Sequence, residues 1–311
     1  MSASRIGIVF NPSKIERAHL QKEWTALASA AQGEAPEVRW FETTPDDPGQ
    51  GPAREALEAG CDVVVAAGGD GTVRAVSEVL AGSDARLAIV PQGTGNLLAR
   101  NLGLPLGKVR PALARVFENE PRPIDVGWVR TDDGDERAFV VMVGFGIDAQ
   151  MLAETNDDLK DKAGWLAYVE AIGRALSSSD LVTVRVTADD GEPREVEAHT
   201  VLVGNCGAIQ GGMTLFPDAK PDDGVLDLLV VSAQGAGQWL DALKSMVWDN
   251  GFMRLFQRDK QVTSTDGAQH AQASTVRVEL PEPRPFEIDG EQAGEVRWFE
   301  VRIQPGALAV Y

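Results

Sequence analysis

The stretch DVVVAAGGDGT, residues 62–72, decides the fold of the amino-terminal part of the chain. Residues 62–67 are predicted to form a strand whose residues from Val63 onward are all apolar, which is typical of a strand buried on both faces in a parallel sheet. Residues 68–72 form a glycine-rich turn, and apolar residues then recur at helical spacing over 73–81. The order strand, glycine turn and helix predicts one βα unit of an open α/β sheet.

The glycine turn is expected to bind an anion, because unpaired N–H groups and the positive end of the helix dipole meet at a helix N-terminus. Its glycines let the backbone approach phosphate oxygens closely. Asp70 would repel a bare phosphate, so we expect it to face a Mg²⁺ ion or a substrate hydroxyl. Thr72 is expected to cap the helix. The alternative is a tight βα turn in which Asp70 makes only local hydrogen bonds.

A second glycine loop, PQGTGN at residues 91–96, also follows an apolar strand, at 87–91, and precedes a helix, at 96–102. Two such loops in one α/β domain are expected to converge at the carboxyl edge of the sheet, where ligands bind in this fold class. Thr94 and Asn96 can donate hydrogen bonds to phosphate or ribose oxygens. Neither loop is a P-loop, because the Gly-Lys-Ser/Thr sequence is absent.

The rest of the chain is predicted to form two domains of different kinds. Strands at 5–10 and 38–41 and helices at 16–31 and 52–59 complete an alternating pattern over the first 120 residues. After Pro123 the pattern becomes mostly strands, which predicts a β-sandwich. The predicted strands are 124–130, 137–143, 181–188, 194–203, 225–232, 275–280, 285–289 and 296–303, with helices around 158–177 and 236–257 and a loose loop at 261–274. We therefore expect an open α/β domain at 1–123, a sandwich at 124–303 and a tail, 304–311, that can return to the first domain.

Two further segments carry functional alternatives. In EIDGE, residues 287–291, Asp289 beside Glu291 can accept a proton from an attacking hydroxyl if the turn faces a ligand cleft; phosphoryl transfer needs little beyond positioning, charge neutralisation and such a base. Spacing alone favours the alternative, an Asp-Gly hairpin turn. The aromatic-rich segment 239–256 is either a membrane or acyl-chain contact or, as we favour, a helix packed on the sandwich.

Composition limits the classes of function. The chain has 311 residues, and 29 Lys plus Arg against 47 Asp plus Glu give a formal net charge of −18. Such a chain repels nucleic acid and anionic headgroups on average, so no nucleic-acid partner is expected. Two cysteines are too few for a disulfide framework. No apolar stretch reaches the ~20 residues of a membrane span and no signal peptide is evident, so we expect a cytoplasmic protein whose membrane contact is peripheral, at the inner face. The oligomeric state stays open.

The motifs together resemble the diacylglycerol kinase catalytic family, which includes bacterial lipid kinases and sphingosine kinases. They occur in the family's order over nearly the whole chain. The shared motifs are Asn11-Pro12, GGDGT at 68–72, PQGTGN at 91–96, GFGIDA at 144–149, Asn205 with Gly211-Gly212, PDA at 217–219, DDGVLD at 222–227 and EIDGE at 287–291.

This resemblance implies an ATP-dependent lipid kinase with ATP bound in a cleft between the two domains, Mg²⁺ as cofactor and diacylglycerol or a related lipid as substrate. The implied nucleotide contacts are Thr43 or Thr44, Gly68, Gly69, Asp70, Gly71, Thr72, Gly93, Thr94, Gly95 and Asn96. Asp289 resembles the family's proton acceptor, with Glu291 as its neighbour and Asp70 as a third catalytic candidate. A structural Mg²⁺ is implied at the side chain of Asp223 and the carbonyls of Lys220 and Val225.

The chain departs from the family pattern at two places. Arg74 and Ala75 stand where the family often has Asn-Glu, and Leu97 stands where it usually has Asp. These changes leave open the alternative of a nucleotide-binding regulator without catalysis. A second alternative is a soluble-substrate kinase, because the nicotinamide nucleotide kinases share a GGDGT loop and a similar two-domain plan.

Overall fold

The computed structural model describes residues 5–30, 36–146, 181–209, 214–232, 264–265 and 268–311. The chain divides into two compact units. The first unit comprises Met1–Val126, Pro221–Asp223 and Gln304–Tyr311, and the second comprises Gly127–Lys220 and Gly224–Ile303. Among the helices in the described ranges, none is both long and apolar enough to span a membrane.

The first unit is an α/β layer built on parallel strands. Its strands are β1 (Arg5–Phe10), β2 (Glu37–Glu42), β3 (Val63–Gly68) and β4 (Arg86–Pro91), and its helices are α1 (Arg17–Ala30), α2 (Gln50–Glu58), α3 (Asp70–Leu80), α4 (Leu97–Asn101) and α5 (Val109–Glu118). The strands lie in the order β2-β1-β3-β4, and each neighbouring pair is parallel. The end of the last strand of the chain, β15 (Glu291–Val310), joins β4 in parallel, with Ala309 opposite Arg86.

This strand order positions the loops that the sequence singled out. Strand β3 is buried along its whole length, as its apolar run predicts. Because β1 lies between β2 and β3, the chain reverses its direction of winding there, and ligands bind at the carboxyl ends of strands around such a point. The loops after β1, β3 and β4 are adjacent: the Asn11 N–H donates to the Ala67 carbonyl (3.0 Å), and the Gln92 N–H donates to the Gly68 carbonyl (2.8 Å).

The second unit is an antiparallel β-sandwich. Its further strands are β5 (Arg122–Thr131), β6 (Glu136–Phe139), β7 (Met142–Phe145), β8 (Val182–Ala188), β9 (Arg194–Ala198), β10 (Thr200–Gly204), β11 (Leu226–Val231), β12 (Ser264–Thr265), β13 (Ala268–Ala273) and β14 (Thr275–Ile288). One layer runs β12-β13-β11-β10-β7 and continues to the end of β14, and the other contains β9, β8, the start of β14, β15, β5 and β6. Alternating apolar residues of both layers, such as Val203 and Phe299, share one core cluster.

The predicted fold class, an open α/β part followed by an antiparallel sandwich, is confirmed, but several element predictions are wrong. The strand predicted at 137–143 is two strands separated by Val140 and Val141, and the one at 194–203 is interrupted at His199. The strands predicted at 275–280 and 285–289 belong to the single strand β14, whose register against β15 shifts after Glu279. The predicted loose loop at 261–274 contains β13, and α5 was not predicted. The helices predicted around 158–177 and 236–257, with the aromatic segment 239–256, lie outside the described residues.

Candidate nucleotide-binding site

The N-terminus of α3 forms the base of the first glycine loop. Gly69 is the residue that precedes the helix, and the first bond of the helical ladder runs from the Val73 N–H to the Gly69 carbonyl (3.0 Å). The N–H groups of Gly71 and Thr72 come before that bond and so have no acceptor within the helix. Thr72 was predicted to cap α3, and this is wrong: it lies inside the helix, buried, and its side chain packs over Gly68.

The two glycine loops touch each other, and glycine is needed at the contact. A Cβ placed on Gly93 would lie 2.8 Å from the Cα of Gly69, a backbone atom that cannot rotate away. A Cβ on Gly95 would lie 2.7 Å from the Oδ2 of Asp70. By contrast, an alanine in place of Gly69 is tolerable, because its Cβ would lie 3.5 Å from the Cα of Gly93 and the φ of Gly69 is −87°.

Asp70 links the two loops. Its Oδ2 accepts the Asn96 N–H (2.7 Å), and its Oδ1 accepts the Leu97 N–H (2.5 Å) at the start of α4. These charge-assisted bonds satisfy N–H groups that the short helix cannot satisfy itself. The prediction that Asp70 faces Mg²⁺ or a substrate hydroxyl stays a prediction, and the carboxylate has an observed role as the cap of α4.

Asn96 closes the second loop on itself. It is buried and has a left-handed backbone with φ of 48°. Its Oδ1 accepts the Gly93 N–H (2.9 Å), and its Nδ2 donates to the Gly93 carbonyl (2.7 Å). The amide therefore shapes the loop from within, whereas the side chain of Thr94, between these two residues, is exposed.

The two threonines after β2 differ in accessibility. Thr43 is buried, and its N–H donates to the Phe10 carbonyl (3.0 Å), which extends the β1–β2 pairing by one step. Thr44 is exposed, and its hydroxyl accepts the Asp47 N–H (3.1 Å) in a local turn. Both lie at the same carboxyl edge as the glycine loops.

The predicted proton acceptor lies in the second unit, in a two-residue turn. Asp289 and Gly290 connect β14 to β15, with Ile288 paired to Glu291 across the turn. Asp289 is 3% exposed and has a left-handed φ of 50°. Its carboxylate accepts three backbone N–H groups from the segment between β6 and β7: those of Val140 (2.9 Å), Val141 (2.8 Å) and Met142 (3.0 Å). Glu291, its predicted neighbour in catalysis, is exposed.

The predicted Mg²⁺ site consists of oxygen donors on a surface turn. Lys220 and Asp223 are exposed, Val225 is half-buried, and Gly224 between them has a left-handed φ of 77°. One carboxylate and two carbonyls suit a hard cation that keeps several waters. Within the described part of the chain no cluster of three or more His, Cys, Asp or Glu side chains is arranged to hold a metal. Such an ion would therefore depend on main-chain oxygens.

Comparison with known proteins agrees with these features. Residues 5–129 match the diacylglycerol kinase catalytic domain, and residues 141–311 match the YegS C-terminal NAD kinase beta sandwich-like domain. A protein of Pseudomonas aeruginosa named "Probable lipid kinase YegS-like" is 34% identical over 297 residues, which cover 93% of this chain and 89% of that protein. The chain belongs to the diacylglycerol kinase family of YegS-like lipid kinases.

Another curated protein and a solved structure are also similar to the chain. A protein of Mycobacterium tuberculosis named "Diacylglycerol kinase" is 29% identical over 255 residues, covering 82% of this chain and 78% of its own length. A crystal structure of a diacylglycerol kinase from Bacillus anthracis has a TM-score of 0.67 at 22% identity, covering 100% of this chain and 97% of that one. At 22% identity, the similarity to the Bacillus anthracis structure shows a shared fold.

The places where this lipid kinase departs from its family's pattern now have structural contexts. Ala75 is fully buried in α3, where a glutamate would need a partner. Leu97 is 8% exposed and starts α4, and its N–H is one of the two that donate to the Asp70 carboxylate.

The glycines of the GFGIDA motif in the second unit also have a physical explanation. A Cβ on Gly144 would lie 2.1 Å from the Val201 carbonyl oxygen, and one on Gly146 would lie 2.3 Å from the His199 carbonyl oxygen. These glycines let β7 lie against β10. Asn205, quoted for the resemblance, is fully buried, and its N–H donates to the Val141 carbonyl (2.8 Å). Sequence reasoning missed that the segment 140–142 is held from both sides, because nothing in Val-Val-Met suggests it. Asp148, Gly211 and Gly212 lie outside the described residues.

Proposed function

We propose that this protein is an ATP-dependent lipid kinase that transfers the γ-phosphate of ATP to a hydroxyl of diacylglycerol or a related lipid. The observation that carries the proposal is the junction of two glycine loops at the carboxyl edge of β3 and β4, at the N-terminus of α3. The relatives named as lipid and diacylglycerol kinases support the substrate class.

In this proposal the backbone of the first glycine loop binds the phosphates. The N–H groups of Gly71 and Thr72 and the positive end of α3 attract the anion, and Gly69 lets it approach the main chain. Asp70 and Asn96 hold the second loop against the first, so that the contact surface is formed before ATP arrives. Such preorganisation is a large part of phosphoryl-transfer catalysis, since the transition state requires positioning and charge stabilisation more than covalent chemistry.

A divalent cation bound with ATP would neutralise negative charge on the phosphates. In this proposal the turn at 220–225 is a separate, structural site, and its oxygen donors are of the type that Mg²⁺ accepts. We infer that the acceptor lipid is reached by peripheral contact with a membrane, because a diacylglycerol has no appreciable solubility outside one.

A substitution at Gly69 tests this proposal without disturbing the fold. Alanine there meets only an ordinary contact at 3.5 Å and an allowed φ of −87°, so Gly69→Ala is expected to unfold at the wild-type temperature. Its methyl group would stand where a phosphate approaches the loop, so its affinity for ATP with Mg²⁺, measured by calorimetry, is expected to fall by about tenfold or more. If Gly69→Ala binds ATP as tightly as the wild-type protein, the phosphates do not bind at this loop and the proposal is wrong.

The acceptor is identified with a panel. Purified protein, labelled ATP and Mg²⁺ are combined with diacylglycerol, monoacylglycerol, sphingosine, polyprenol and NAD. Label in one of the lipids supports the proposal. Label in NAD alone would establish the soluble-substrate kinase, and ATP binding without transfer to any of these acceptors would establish the regulator.

A further inference from the structure

The segment of Val140, Val141 and Met142 lies between two sets of buried hydrogen-bonding groups. On one side, the Asp289 carboxylate accepts the N–H groups of all three residues, at 2.8 to 3.0 Å. A carboxylate has about four acceptor positions on its two oxygens, so these bonds fix its orientation and are compatible with proton transfer. Asp289 is the candidate proton acceptor of the proposed kinase, and the segment 140–142 sets where its oxygens lie.

The other side of the segment is held by Asn205 and Cys206, which follow β10. The main-chain N–H groups of both residues donate to the Val141 carbonyl, at 2.8 and 3.1 Å. Their side chains both donate to the Val140 carbonyl, the amide at 3.4 Å and the thiol at 3.3 Å. Two adjacent carbonyls thus receive four donors from residues that are fully buried.

The bonds on the two sides run through the same peptide groups. The N–H that Val141 donates to Asp289 belongs to the peptide group of the Val140 carbonyl. The N–H that Met142 donates belongs in the same way to the peptide group of the Val141 carbonyl. A peptide whose carbonyl accepts a hydrogen bond is a stronger donor at its N–H, because hydrogen bonds in a chain polarise one another. The donors at 205–206 therefore strengthen the bonds that hold the carboxylate.

We propose that Asn205 and Cys206 are positioning residues, which act through the segment 140–142 to hold the Asp289 carboxylate where it receives the proton of the attacking lipid hydroxyl. The inference rests on the proposed kinase function and adds two residues to it. Phosphoryl transfer depends mainly on positioning and charge stabilisation, so a small displacement of the base lowers kcat. The KM for ATP should stay unchanged, because in that function ATP is held by the glycine loops of the first unit.

Substitutions at Cys206 separate positioning from packing. Cys206→Ala removes the thiol donor, whereas Cys206→Ser keeps a donor for the Val140 carbonyl and buries a hydroxyl in place of the less polar thiol. The serine is therefore expected to cost stability without losing the bond. Cys61→Ala is the matched control, because Cys61 is also a buried free cysteine and lies in the first unit. Asn205→Ala removes the amide donor and is the larger perturbation.

The experiment measures kcat and the KM for ATP with diacylglycerol in phosphatidylcholine vesicles, together with thermal unfolding, for wild type and the four variants. We expect kcat to fall by about tenfold or more in Asn205→Ala and by about threefold or more in Cys206→Ala, with the KM for ATP within about twofold of wild type. Cys206→Ser is expected to recover most of the kcat that the alanine loses, despite a lowered unfolding temperature. Cys61→Ala is expected to keep wild-type kcat.

Two results would overturn the proposal. One is wild-type kcat in both Asn205→Ala and Cys206→Ala, and the other is a kcat that simply follows the unfolding temperature across the four variants. If Asn205→Ala yields no folded protein, the comparison of Cys206→Ala with Cys206→Ser and Cys61→Ala decides alone.

Hydrogen exchange keeps this outcome separable from that of the proposed function. If the wild-type protein transfers no phosphate to a lipid, the lipid kinase proposal fails, and exchange of the Val141 and Met142 N–H groups still decides whether 205–206 hold the segment. We expect these N–H groups to exchange about threefold faster or more in Cys206→Ala than in wild type or Cys61→Ala. Equal exchange in all three proteins would reject the positioning role.

Discussion

At the scale of single residues, Asp70 gives a direct test of how the two glycine loops of the first unit are held together. Asp70→Ala removes the acceptor of the Asn96 and Leu97 N–H groups, which leaves partly buried donors without their bonds. We expect the free energy of unfolding to fall by about 1–3 kcal/mol for one N–H group that loses its acceptor. ATP should also bind more weakly, because the second loop is no longer tied to the first. Urea unfolding and calorimetry measure both. Unchanged stability would show that the loops do not depend on this link.

Cys61 gives a pH-dependent prediction. Burial raises the pKa of its thiol, since removal from water disfavours the thiolate. The folded state therefore binds the proton more tightly than the unfolded state, so this contribution to stability is complete below the ordinary thiol pKa of about 8.5 and is lost as pH rises above it. The unfolding free energy of wild type should fall more steeply above that pH than that of Cys61→Ser. Parallel curves would contradict this.

Residue types alone predicted where the glycine loops lie but not the hydrogen bonds that hold them together. The sequence indicated that 68–72 and 91–96 converge, because loops after adjacent parallel strands meet at one edge. It could not show that Asp70 caps α4, since that bond joins residues 26 positions apart. Nor could it show that the Asn96 side chain binds Gly93, three residues earlier, since an asparagine can make several different local hydrogen bonds. The helix cap was misplaced at Thr72 because α3 already begins at Asp70.

At the scale of elements, the contact between β7 and β10 depends on glycine. Gly146→Ala combines a left-handed φ of 95° with a Cβ 2.3 Å from the His199 carbonyl oxygen, and we expect a loss of about 3–5 kcal/mol. Gly294 is the matched control, because its φ is 89° and nothing lies within 4 Å of its added Cβ. Gly294→Ala should cost only about 1–2 kcal/mol. Equal losses in denaturant unfolding would mean that backbone strain alone sets the cost.

Strand boundaries were predicted well where the apolar pattern was strong and poorly where tertiary contacts decided them. The run at 62–67 specified β3 because burial on both faces leaves an unbroken signal. By contrast, β13 has the sequence AQHAQA, which carries little strand propensity, and it forms because it pairs with β11 in the sheet. The break at Val140 and Val141 is equally invisible, since valine favours strands and the bonds to Asp289 override that preference.

At the scale of the whole molecule, charge opposes the approach to a membrane. The net charge of −18 is expected to repel anionic vesicles at low ionic strength and to do so less as salt screens the interaction. Phosphorylation of diacylglycerol should therefore be faster in phosphatidylcholine vesicles than in phosphatidylglycerol vesicles, and the difference should narrow with added salt. Faster turnover in the anionic vesicles at low salt would reveal a local basic docking surface that outweighs the average.

The central claim is that the glycine loops of the first unit hold ATP while its γ-phosphate passes to a lipid hydroxyl. The most direct measurement is transfer of labelled γ-phosphate to diacylglycerol in phosphatidylcholine vesicles, by wild type and by Gly69→Ala side by side. We predict labelled phosphatidic acid from the wild-type protein and a loss of about tenfold or more from the equally stable variant. Equal transfer by both proteins, or no labelled lipid from the wild type, would contradict the account.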